Sequence, residues 1–110
     1  MDILPVLNEI VYFAAGRRSQ VLEFIAALPK KLQAAIHGDL ETVATMGLRA
    51  PVSLKTITGH APMWEIRNGP YRTFFVVDGG RLWVLGCCKK EEQRRAITLA
   101  AERMKTIRGT

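Results

Sequence analysis

Four cations stand out by type and position: Arg67, Arg72, Lys89 and Lys90. Each sits at or just beyond the end of a run that reads as a β-strand. The runs are residues 63–67, 71–78 and 81–88, rich in Val, Ile, Phe, Tyr and Trp and divided by Asn68-Gly69-Pro70 and Gly79-Gly80, which have the composition of hairpin turns. In an up-down-up meander the end of the first strand, the start of the second and the end of the third share one edge of the sheet. The spacing therefore brings cations that are distant in sequence to one place. A concave basic patch on a rigid sheet is what holding a phosphodiester requires, and it stabilises the extra negative charge that builds as the phosphorus is attacked. A solvated sheet end with snorkelling cations has the same composition, and spacing alone does not separate the two.

The charge balance points the same way. Sixteen Lys and Arg against ten Asp and Glu leave +6 on a chain of 110 residues. Such an excess favours polyanions through counterion release, so nucleic acid is the expected partner class, with solubility as the plainer explanation. Cys87 and Cys88 are the only cysteines. Neighbours on a strand point to opposite faces, so the pair suits neither a disulfide nor a metal clip and reads as two small apolar side chains. With two histidines elsewhere, no metal site and no cofactor is expected. His37 falls within a helical stripe and receives no role. Tyr71 points away from Arg72 on a regular strand, and Trp64, Phe74, Phe75 and Trp83 read as core aromatics before stacking platforms.

These side chains need a scaffold, and the chain is long enough for one core, so residues 1–110 are expected to form a single domain. Residues 10–14, Ile-Val-Tyr-Phe-Ala, suit a first strand. Ser19 can cap a helix with Val21, Leu22, Ile25 and Leu28 at helical spacing, interrupted by Pro29. A second helix from Lys30 carries one stripe through Leu32, Ala35, Ile36, Leu40, Val43 and Met46, and Gly47 stops it. Residues 47–62 read as loop. From Glu91 helical spacing returns, with Ile97, Ala100, Ala101, Met104 and Ile107 on one side. The expected fold is α+β: two N-terminal helices packed on an antiparallel sheet meander, with a C-terminal helix. The longest apolar run, residues 10–15, is far short of a membrane span, and Met1-Asp2 opens no secretory signal, so a cytoplasmic location with no membrane partner is expected.

The residues so placed resemble a family. Trp64-Glu65-Ile66-Arg67, Tyr71-Arg72, the run Val84-Leu85-Gly86-Cys87-Cys88-Lys89-Lys90 and Ala100-Ala101-Glu102-Arg103 resemble, in that order, the signatures of RelE/HigB-type toxins, specifically their phage-derived branch. Leu28-Pro29-Lys30-Lys31 and Leu54-Lys55 fit the same branch, and the likeness covers residues 19–107. It implies a RelE-like fold and the toxin of a type II toxin–antitoxin system. Such a protein is a metal-independent endoribonuclease that cuts mRNA on the ribosome, and a cognate antitoxin, typically a helix-turn-helix protein, neutralises it.

In that chemistry the ribose 2′-hydroxyl attacks its own phosphate, and the protein supplies cations, a base and an acid. The resemblance makes Arg67 and Arg72 the phosphate-gripping arginines. It makes Lys89 and Lys90 the basic strand end, able to bind phosphate or move a proton, and brings Lys55 toward the same pocket. His60, with an ordinary pKa near 6.5, is a candidate proton carrier in a loop. The chain departs from the family where Gly86 and Cys88 replace a histidine and an aromatic, and where no Tyr or His follows Tyr71. The acid and base are thereby unassigned, which keeps two alternatives open: a non-catalytic relative of the gyrase-inhibiting kind, and a basic nucleic-acid-binding phage protein.

Overall fold

The structure is a computed structural model and describes residues 8–109; the reading of the first two residues lies outside it. Strand β1 is Glu9–Tyr12, helix α1 Gln20–Ala26 and helix α2 Lys30–Met46. Strands β2 (Leu54–Thr56), β3 (Trp64–Asn68), β4 (Tyr71–Asp78) and β5 (Arg81–Lys89) follow, and helix α3 (Gln93–Arg108) closes the chain.

The five strands form one sheet in the order β1-β5-β4-β3-β2. The meander β3-β4-β5 is antiparallel, as its turn residues require, and Gly79 and Gly80 at φ 61° and 75° make the left-handed turn that joins β4 to β5. Two points depart from the expected sheet. β1 runs parallel to β5, so the sheet is mixed. β2 arises inside the stretch read as loop: three residues, Leu54-Lys55-Thr56, carry no periodic signal of their own and are held as a strand by pairing with Ile66, Glu65 and Trp64.

Both faces are covered. On one, Val21 and Ile25 of α1 and Ile36, Leu40 and Val43 of α2 pack on Ile66, Phe75, Leu82 and Val84. On the other, Ala100, Ala101 and Met104 of α3 pack on Met63, Phe74, Val76, Leu85 and Cys88. α1 starts at Ser19, whose hydroxyl accepts from Leu22 N–H and donates to the Phe13 carbonyl. Pro29 forces the break before α2, and the Gln33 side-chain amide, donating to the Ala26 and Leu28 carbonyls, takes up the acceptors that α1 leaves open. The Tyr12 hydroxyl shares a hydrogen bond with His37 Nδ1, which gives that histidine a structural partner. Among the described residues no helix is long and apolar enough to cross a membrane.

A bulge in β5 decides which side chains face which helix. Phe74 pairs with Gly86 and Phe75 with Val84, leaving Leu85 without a partner. The alternation of β5 therefore shifts by one residue. Val84 belongs to the α1–α2 face, Leu85 to the α3 face, Cys87 to the first again and Cys88 to the second.

Candidate functional site

The strand ends converge as the sequence expects. Arg67 lies opposite Arg72, Tyr71 opposite Lys89, and Lys90 N–H donates to the Pro70 carbonyl at 2.7 Å. Their side chains do not form one patch. Arg67 and Arg72, facing each other across a ladder, share the α3 face with Cys88, whereas Lys89 follows Tyr71 to the face of α1, where Tyr71 meets Phe24 edge-on. Unbroken alternation from Trp83 would have carried Lys89 to the arginine face; the bulge at Leu85 reverses it. Lys89 and Lys90 are both exposed at this end of the sheet.

At the centre of the arginine face is a residue that the reading of cations passed over. Glu65 is fully buried. Its Oε1 accepts from Arg67 Nε at 2.6 Å and stands 3.5 Å from Arg72 Nε, while its Oε2 accepts from the Gln93 side-chain amide at 2.5 Å. Arg72 is not a surface cation. Its side chain is 8% exposed, and Nη1 donates to the Gly69 and Tyr71 carbonyls at 2.7 and 2.9 Å, fixing the guanidinium against the β3–β4 turn. A guanidinium buried this way needs a carboxylate nearby, and Glu65 is the one in reach. Arg67 differs: 38% of its side chain is exposed, so one edge of its fork is held by Glu65 and the other is open to solvent. The signal in the sequence was the i, i+2 spacing of Glu65 and Arg67, which puts acid and base on one strand face.

Lys55 joins this group through β2. It pairs directly with Glu65, so its exposed side chain leaves the same face one strand further out. His60 does not join it. The cavity beside His60 is shared with Met104, Lys105 and Arg108 near the end of α3, whereas Glu65 is bound by Gln93 at its start. The cavity's nearest approach to that start is Ala101, eight residues of helix from Gln93, about 12 Å at 1.5 Å per residue. The cations around Glu65 are therefore Arg67, Arg72 and Lys55, without His60.

The cysteines are quiet. Burial, then the neighbouring Cys87, Glu92 and Glu65, push the Cys88 thiol up to about 12 against the lowering pull of Arg72, and burial also raises Cys87. Neither supplies a thiolate at neutral pH. Among the described residues no three His, Cys, Asp or Glu side chains gather to hold a metal ion.

An α+β domain with a carboxyl-anchored arginine pair at one sheet end is the class of protein defined so far. The family described as phage derived protein Gp49-like (DUF891) matches residues 23–105, and the chain belongs to it. That family is associated with RelE-like toxins. No curated protein and no solved structure matched the chain.

Proposed function

We propose that this protein is the toxin of a type II toxin–antitoxin pair and acts as a ribosome-dependent mRNA endonuclease. The observation that carries the reading is Arg67, half exposed and fixed at Nε by a buried carboxyl, beside Lys55 on the same sheet face. A guanidinium already oriented on a strand loses little freedom when it grips a phosphate. In the proposed reaction the 2′-oxygen attacks the adjacent phosphorus and the 5′-oxygen leaves. Arg67 and Lys55 stabilise the phosphorane, and Arg72 acts through Glu65, keeping Arg67 in place. Lys89 and Lys90 stand at the same end of the sheet on the far side of the bulge, where they would meet neighbouring backbone phosphates. A cognate antitoxin in the cytoplasm would cover this end, its acidic side chains set against Arg67 and Lys55.

One observation favours the non-catalytic alternative. Arg72 is spent on the fold and His60 lines a different cavity, so neither stands as an acid or base beside Arg67. Expression without a partner separates the readings: pulse labelling is expected to show protein synthesis stopping first, with new 5′ ends within translated messages. DNA synthesis stopping first, with intact messages, would transfer the protein to the gyrase-inhibiting or nucleic-acid-binding class.

A further inference from the structure

β5 is paired on both sides along its first half only. β1 runs beside Arg81–Val84 and departs after Phe13 N–H donates to the Val84 carbonyl, yet β5 continues to Lys89. The ladder shows where the remaining peptide groups point. Lys90 N–H bonds Pro70, so Lys90 faces β4, and two residues earlier Cys88 does too. Cys87 and Lys89 consequently turn their N–H and C=O groups to the side that β1 has left. The Leu85 carbonyl on that side is taken by Arg103 Nη1 at 2.8 Å, a guanidinium reaching over from α3 where another strand residue would have come.

Above this free edge lies a slot of about 180 Å³ between α1 and α3. Gly86 and Cys87 form its floor, Val21 and Phe24 one wall, and Ala96 and Leu99 the other. Leu99 is 42% exposed, an apolar side chain on a helix with mostly charged neighbours.

We propose that this edge receives an extended acidic segment of a partner protein, which adds a strand to β5 beside Cys87 and Lys89. The outward peptide groups are the hydrogen-bonding template that strand addition uses, and the apolar walls take alternate side chains of the incoming segment. Charge selects the occupant. Arg103 lines the slot, Lys89 and Lys90 stand at its end, and a chain of +6 repels a second copy of itself. RNA has no peptide ladder to offer. The inference holds whether or not the protein cuts RNA.

The test uses the full chain, labelled with ¹⁵N, and a blocked hexapeptide of alternating Glu and Val. Saturating peptide is expected to shift the Cys87 and Lys89 amide resonances and slow their exchange with water by roughly tenfold or more. A peptide with Lys in place of Glu should leave them unchanged. Lys89→Pro removes one outward N–H while sparing the ladder bonds of Cys88 and Lys90, and should abolish the shifts in a protein whose melting temperature is retained. If the variant melts early, Lys89→Glu, which alters only an exposed side chain, should weaken the acidic peptide severalfold. The proposal is overturned if millimolar acidic peptide leaves Cys87 and Lys89 unmoved, if the basic peptide binds equally, or if a well-folded Lys89→Pro protein binds as the parent does.

Discussion

Removing the Glu65 carboxyl tests whether the arginine pair is held as described. In Glu65→Ala, Arg72 keeps its two carbonyl acceptors but loses the carboxylate 3.5 Å from its Nε while remaining 8% exposed, a change that in buried ion pairs costs about 3–5 kcal/mol. The freed Gln93 amide adds about 1 kcal/mol. Arg67, 38% exposed, turns to water, so its lost bond adds well under 1 kcal/mol after screening, or about 0.5. The sum is about 5 kcal/mol, comparable to the whole stability of many small domains. With an unfolding entropy of about 2.1 cal/mol/K per residue, a chain of 110 residues should melt about 20 °C lower. The assay is urea unfolding at constant m-value together with calorimetry. Adding Arg72→Met replaces the stranded charge with an apolar side chain and should restore about half of the loss. A Glu65→Ala protein melting within a few degrees of the parent, or a double variant less stable than the single, would refute the carboxyl as the anchor of Arg72.

Three further outcomes follow from the same structure. Arg67→Lys keeps the charge but loses the planar fork held by Glu65, so cleavage of ribosome-bound message should fall roughly 10²-fold while the melting temperature drops by only a few degrees; parental cleavage would remove Arg67 from the site. Gly38 sits mid-helix in α2 with nothing within 4 Å of an added Cβ, so Gly38→Ala should stabilise the fold by about 0.5–1 kcal/mol in urea unfolding and leave activity alone. Burial, with Glu41 adding to it, pushes the Tyr12 phenol up to about 12, and Cys88 is also raised to about 12, so the folded state holds these protons while the unfolded chain releases them. Stability should therefore be fully present below pH 9 and decline from there to pH 12, and Tyr12→Phe should flatten the part of the decline above pH 10.

How much could be read beforehand depended on how local each signal was. α2, bounded by Pro29 and Gly47, and β4, bounded by Gly69-Pro70 and Gly79-Gly80, carry their own punctuation and fall where their residues place them. β2 does not, because a three-residue strand exists only through its partner. The parallel course of β1 rests on contact with a strand about seventy residues away, Glu9 beside Arg81, which no window of sequence contains. In the site, charge and spacing located the sheet end. They could not show that Arg72 points inward or that Glu65 would hold both arginines, since a buried ion pair and an exposed basic edge use the same residue types. The separation of His60 from the arginines follows from the length of α3, a distance the loop position of a histidine does not disclose.

The unpaired Leu85 gives β5 two counting frames. Residues numbered forward from the Gly79-Gly80 turn obey one parity, and residues numbered back from α3 obey the other. Deleting a single residue here would merge the frames. With Leu85 removed, Val84 and Gly86 become neighbours that still face Phe75 and Phe74, so Cys88 stays under α3 and Lys89 beside Tyr71; straightening the strand with Leu85 kept is what would exchange them. For this strand, comparison between relatives is meaningful only when the extra residue is aligned as an insertion. Leaving that gap out would exchange the buried and the solvent-facing members of the Cys88-Lys89 pair.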